Sequence, residues 1–130
     1  MMIPEDLRYH KKHTWVKVSG NKAKIGITNY AQDALGDIVY IEMPEVESEV
    51  EANTEMSEIE STKATDSVIA PVSGIVIKVN EELEDAPEII NEEPYGKGWI
   101  AEVKLSNESE LDDLMDATDY AKYLEEEAIG

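Results

Sequence analysis

At 130 residues, with 42% hydrophobic content and no cysteine, the chain is long enough for one domain with a modest core, and it excludes disulfides, thiolate nucleophiles and zinc-thiolate sites. Its formal charge of −19 and pI near 4.2 set it against nucleic-acid backbones and anionic membranes; they suit plain solubility or partners with basic docking patches equally well. No apolar run approaches the ~18 residues of a membrane span, and Met1 to Asp6 reads as neither signal nor transit peptide. The expected location is the cytoplasm of a prokaryote, or an organelle if a leader has been removed.

In chain order, the first half alternates as half-buried strands do. Val16 and Val18 interleave with Trp15, Lys17 and Ser19. After a turn at Ser19-Gly20-Asn21, Ala23, Ile25 and Ile27 point one way and Lys22 and Lys24 the other. Thr28 to Gly36 reads as a short helix with Asn29 as N-cap, Gln32 completing a capping box, and Gly36 at the left-handed C-terminal position. A strand over Asp37 to Met43 stops at Pro44, and an acidic linker strand flanked by Val46 and Val50 turns at Asn53. Two strand-like runs, from Met56 and up to Gly74, bracket Lys63, and Ser73-Gly74 turns tightly into a strand over Ile75 to Val79. Pro87 to Asn91 reads as one helical turn and Pro94 to Gly98 as a loop. In the last strand Trp99, Ala101, Val103 and Leu105 share a face, opposite Glu102 and Lys104.

The end of the chain reads as helical. Ser109 caps a segment with Leu111, Leu114 and Met115 on one stripe; a second segment starts near Thr118 and aligns Tyr120, Tyr123 and Leu124. Glu125-Glu126-Glu127 reads as a solvated, fraying end, unfavourable at a helix C-terminus. Short strands at roughly 8–12-residue spacing predict a sandwich or barrel. The expected organisation is a single domain over 1–130, mainly β with short helices, with residues 109–130 forming C-terminal helices.

Few residues suggest chemistry by the polypeptide itself. His10 and His13 lie beside Lys11 and Lys12 and read as an exposed basic patch; no third His or Cys completes a metal set. Trp15 and Trp99 read as core or edge anchors. No nucleotide-cradling glycine-rich motif is present, and no carboxylate pair stands out as acid and base. Lys63 differs because an amine at a hairpin tip needs no neighbouring catalyst: a dedicated ligase acylates it to a neutral amide. Glu58, Glu60 and Asp66 make that tip acidic.

These pieces fall in an order that resembles the H proteins of the glycine cleavage system over nearly the whole length. The matching runs are His13-Thr14-Trp15-Val16, Gly26 to Gln32, Leu35 to Val39, Glu60-Ser61-Thr62-Lys63-Ala64, Ala70-Pro71-Val72-Ser73-Gly74, Val79-Asn80-Glu81, and Ile90-Asn91 through Pro94 to Trp99. The resemblance implies a barrel-sandwich hybrid of the lipoyl- and biotinyl-carrier type with added helices. It implies lipoate attached to Lys63, with Glu60, Ser61, Thr62, Ala64 and Asp66 as the recognition context, and a carrier without an active site of its own. It implies partners: a PLP-dependent glycine decarboxylase (P) that loads an aminomethyl group, a tetrahydrofolate-dependent aminomethyltransferase (T), dihydrolipoamide dehydrogenase (L), and a lipoate ligase or octanoyl/lipoyl transferase. The expected carrier is monomeric. His13, Thr14 and Asn29 are expected to line a cleft for the arm, on the same side as Lys63.

The chain departs from the family pattern at several positions. Thr14 stands where Glu is common, so one charge-assisted hydrogen bond in the cleft is expected to be missing. Gly is common at Glu47 and Asn53; Asn tolerates a left-handed turn, whereas Glu does not adopt one cheaply. Thr62 replaces the usual Val, and the acid after Lys63 is shifted to Asp66. The alternative function is an H-protein-like lipoyl carrier serving lipoate relay or another sulfur-handling pathway. A biotin carrier fits less well, because Thr62 and Ala64 replace the Met residues usual beside a biotinyl lysine.

Overall fold

The computed structural model describes residues 3–129; Met1, Met2 and Gly130, the ends of the N-terminal reading and of the expected C-terminal helices, lie outside the described residues. The elements in order are β1 (Arg8–Tyr9), β2 (Thr14–Ser19), β3 (Lys22–Ile27), α1 (Asn29–Leu35), β4 (Ile38–Glu42), β5 (Glu49–Val50), β6 (Glu55–Ser61), β7 (Thr65–Ile69), β8 (Gly74–Val79), α2 (Glu82–Asp85), α3 (Ile89–Glu92), β9 (Ala101–Leu105), a 3-10 helix (Glu108–Asp113) and α4 (Ala117–Ile129). They form two antiparallel sheets. One has six strands in the order β1-β2-β3-β9-β8-β5; the other has three in the order β4-β6-β7.

The period-2 pattern places the core. Ala23, Ile25 and Ile27 of β3 face inward with Val16, Val76, Ala101 and Val103 of the same sheet. They meet Ile38, Ile41, Met56, Ile59 and Val68 of the smaller sheet. Each fully buried aliphatic side chain here contributes about 1.5–3 kcal/mol relative to exposure. That burial, more than β-propensity, holds the register. A second, smaller cluster of Leu7, Tyr9, Trp15 and Tyr120 joins α4 to β1 and β2. Gly26 makes this possible. It pairs with Trp15 across the β2–β3 ladder, and a Cβ there would stand 2.6 Å from the indole ring. The Trp15 Nε1–H then donates to the Pro94 carbonyl at 2.9 Å.

Several sequence expectations need correction. Thr28, not Asn29, caps α1: its hydroxyl accepts from the Ala31 N–H at 3.3 Å. Asn29 sits one position inside and accepts from the Gln32 amide at 2.8 Å. Trp99 lies before the last strand and packs against the Trp15 cluster, while Ile100 enters the main core. Gly74 opens β8, paired with Val50 and Leu105, so the bend falls just upstream of it. The segment from Glu108 is a 3-10 helix capped by Asn107, not an α-helix capped by Ser109, and Met115 leaves it to bridge Tyr9. The short helix α2 had no periodic signal; only Leu83 is buried in it. Asn53 adopts a left-handed φ of 71° as expected, and Glu47 does so as well at 78°.

Candidate functional site

Lys63 lies in the exposed three-residue connection between β6 and β7, and Ser61 builds that connection. The Ser61 hydroxyl accepts from the Ala64 N–H at 3.0 Å and the Lys63 N–H at 3.3 Å, and donates to the Ala64 carbonyl at 3.1 Å. The Ser61 N–H donates to the same carbonyl at 2.8 Å, and the Thr62 N–H donates to the Asp37 carbonyl at 2.9 Å. The turn therefore satisfies its own backbone, as Ser-anchored turns do, and leaves the Lys63 amine for chemistry. Glu60, Thr62, Ala64 and Asp66 are exposed around it.

The Lys63 stem passes over Gly36, at the end of α1. A Cβ on Gly36 would lie 3.2 Å from Lys63 Cε, and the backbone there has φ 84° and ψ −158°. Asn91 fixes this junction from α3. Its amide nitrogen donates to the Gly36 carbonyl and to Gln32 Oε1, both at 2.9 Å, and its Oδ1 accepts from the Ile38 N–H at 2.9 Å.

Beside the turn is a cleft of about 260 Å³. Its walls are apolar where Ile27, Ala31, Leu35, Ile59 and Val68 line it; its polar rim includes His13, Thr14 and Asp66. Asp66 pairs with Ile59 across the β6–β7 ladder, so it shares the inward face with Val68, two residues on. The shift of the acid by one position therefore leaves it on the cleft side. Thr14 is present but committed: it is 1% exposed, and its hydroxyl donates to the Ile69 carbonyl at 2.9 Å. Asn29 does not line the cleft. Its side chain stays on α1 with Gln32, and its N–H donates to the Tyr95 hydroxyl at 3.0 Å.

His13 is the residue the sequence described least well. It is half-buried, with a left-handed φ of 70°. Its ring packs 4.6 Å from that of Tyr30. Nε2 lies 3.1 Å from the Glu127 carboxylate and Nδ1 2.9 Å from the Tyr120 hydroxyl. A carboxylate only accepts, so Nε2–H donates to Glu127 and Nδ1 accepts from Tyr120, whose oxygen meets Thr28 Oγ1 at 2.8 Å. Burial lowers the His13 pKa below its ordinary value, against the opposing pull of Glu127. Glu127 thus ties the end of α4 to the cleft rim instead of standing free. His10 is also not an exposed basic group. It is 5% exposed; Nδ1 accepts from the Lys12 N–H at 3.0 Å, so Nε2–H donates to Asn53 Oδ1 at 2.7 Å. No group of three metal-ligating side chains occurs among the described residues. Nor is any described helix long and apolar enough to cross a membrane.

Comparison with known proteins gives a consistent result. Residues 7–127 match the family described as glycine cleavage H-protein. A glycine cleavage system H protein from Carboxydothermus hydrogenoformans is 52% identical over 126 residues, covering 97% of both chains. One from Staphylococcus carnosus is 51% identical, covering 97% of this chain and all of that one. The crystal structure of a glycine cleavage system H protein from Mycobacterium marinum superposes with a TM-score of 0.84 at 36% identity, over 92% of this chain and 97% of that chain.

Proposed function

The chain belongs to the glycine cleavage H-protein family, and from that premise we propose that Lys63 carries the lipoyl arm of a shuttle and that the adjacent cleft shelters it. The family role is that of a lipoyl carrier in glycine cleavage, and the barrel-sandwich architecture is the one the family uses. The reading of Lys63 rests above all on one observation: an exposed amine on a self-satisfied turn, with its stem laid over Gly36 at the mouth of a cleft. All 130 residues act as one carrier domain in this reading.

The residues present fit an acyl arm. The Lys63 Nζ offers the nitrogen of an amide. The apolar cleft wall of Ile27, Leu35, Ile59 and Val68 suits a hydrocarbon chain, and the Asp66 carboxylate at its rim, which Lys12 shares, offers an acceptor to a cationic end group. When bound, lipoate supplies the sulfur chemistry that a cysteine-free chain lacks. The protein's own part is to hold Lys63 out of the core, to exclude water from the cleft, and to place acceptors at its rim. Partners are then the P, T and L proteins of glycine cleavage, plus the ligase or transferase that acylates Lys63. The carrier works as a monomer in the cytoplasm, without catalytic residues.

Thr14 supports a second reading, a lipoyl carrier for lipoate relay or another sulfur-handling pathway. Its buried hydroxyl is spent on Ile69 and offers no charge to an aminomethyl group. The test of attachment is peptide mapping after incubation with a lipoate ligase. Wild type gains the lipoyl mass on the peptide containing Lys63, and Lys63→Arg, which keeps the charge but presents a guanidinium, gains none. A lipoyl group on Lys78 or Lys97 would overturn the assignment.

A further inference from the structure

The chain has 30 acidic and 11 basic residues, yet its basic residues are not evenly spread. The ladders place Lys17 opposite Lys24 and Lys22 opposite Lys104, while Lys78 and Lys24 both face Glu102. Directly opposed residues share a face, so these five lysines project from the outer face of the six-stranded sheet. Like charges directly opposed in a sheet are unfavourable. Glu102, between Lys24 and Lys78, is the one carboxylate these ladder pairings set among them, and the only lysine ion pair among the described residues is an exposed one, Lys17 to Asp6 at 3.9 Å.

The face has shape as well as charge. A groove of about 590 Å³ runs between Trp15, Tyr95 and Trp99, with Lys97 on its border together with Glu93 and Glu102. The ammonium groups of Lys24 and Lys78 stand 5.0 and 5.9 Å from the Trp99 ring centroid. The main core separates this face from the smaller sheet that bears Lys63.

We infer that this lysine and tryptophan face is a second docking surface, which holds an extended acidic segment of a partner protein while Lys63 remains free. Lys22 and Lys24 are alternate residues of one strand, so their spacing matches carboxylates at alternate positions of an extended chain. The groups are ammoniums; no arginine is among them to grip phosphate in the bidentate way. A long polyphosphate or nucleic acid would extend beyond the lysines over the rest of a chain carrying −19, whereas at physiological salt, where charges are screened beyond about 8 Å, a short acidic segment on this face meets mainly the lysines beside it. Resting on the reading of Lys63 as the arm's attachment site, docking there raises the local concentration of the carrier beside the enzymes that visit the arm.

The probe is a short peptide alternating glutamate and threonine, added to the full-length protein at physiological ionic strength, where the overall negative charge is screened beyond about 8 Å. Amide chemical shifts and tryptophan emission are read. The expected result is saturable binding with shifts confined to β2, β3, β8 and β9 and a change in Trp99 emission. Lys24→Gln combined with Lys78→Gln should weaken binding about tenfold, and so should the separate pair Lys22→Gln with Lys104→Gln, while Lys122→Gln leaves it unchanged. Absent or unsaturable binding, shifts centred on other elements, or unaltered binding by both lysine pairs would overturn the inference. So would binding of inorganic polyphosphate without binding of the peptide.

Discussion

Replacing Gly36 by alanine separates two effects that meet at the same place. The backbone there, φ 84° and ψ −158°, lies in a region open essentially only to glycine, and holding an L-residue in it costs about 1–3 kcal/mol. Alanine also restricts the unfolded chain, which returns about 0.4–1 kcal/mol. The new Cβ would meet Lys63 Cε at 3.2 Å, but Cε is near the free end of a flexible, exposed side chain that can swing aside. Backbone strain therefore dominates, and the net loss should be about 1–2 kcal/mol. Urea denaturation of wild type, Gly36→Ala, Lys63→Ala and the double variant tests this as a cycle. Backbone strain as the cause gives a coupling within about 0.5 kcal/mol. If Lys63→Ala restored most of the stability lost in Gly36→Ala, steric contact and not backbone strain would be the cause.

Glu47→Gly should raise stability by about 0.5 kcal/mol, because relief of the left-handed φ of 78°, about 1–2 kcal/mol, outweighs the about 0.4–1 kcal/mol of added unfolded-chain freedom; a lower urea midpoint would contradict it. Gly26→Ala should cost stability and move tryptophan emission, since its Cβ would press on the Trp15 ring at 2.6 Å; unchanged emission and midpoint would refute the packing argument. His13 has a folded-state pKa below the ordinary 6.5, so the unfolded chain binds more protons below that pH, and stability present above 6.5 is lost on acidification. Denaturation at stepped pH should show this slope shrinking in His13→Gln; an identical slope would place the dependence elsewhere. Association with partner enzymes should be faster at low ionic strength, because exposed charges are screened beyond about 8 Å at physiological salt; stopped-flow rates indifferent to salt would leave the −19 charge to solubility alone.

The parts of the molecule set by local pattern were legible in the chain. The alternation of Ala23, Ile25 and Ile27 gives the inner face of β3, and the bracketed Lys63 gives the hairpin and its exposed turn. What escaped was decided by partners distant in sequence. His10 looked like a solvated base because nothing local announces Asn53 as its acceptor. Glu127 looked like a fraying helix end because its partner, His13, lies near the other terminus. Asn29 and Thr28 are both good caps, and the hydroxyl that reached the Ala31 N–H was that of Thr28. Trp99 kept the alternation of the last strand, but pairing begins only at Ala101, which frees its ring to join the other cluster. Of the expected cleft residues, His13 and Thr14 line it and Asn29 does not.

Glycine–carbon dioxide exchange decides whether the chain is a glycine cleavage carrier that works through Lys63. The lipoylated protein is mixed with the PLP-dependent glycine decarboxylase and labelled bicarbonate, alongside Lys63→Arg taken through the same ligase treatment. Label should enter glycine with wild type and not rise above background with Lys63→Arg. Exchange sustained by Lys63→Arg would contradict the assignment of the arm, and a fully lipoylated wild type that supports no exchange would contradict the role in glycine cleavage.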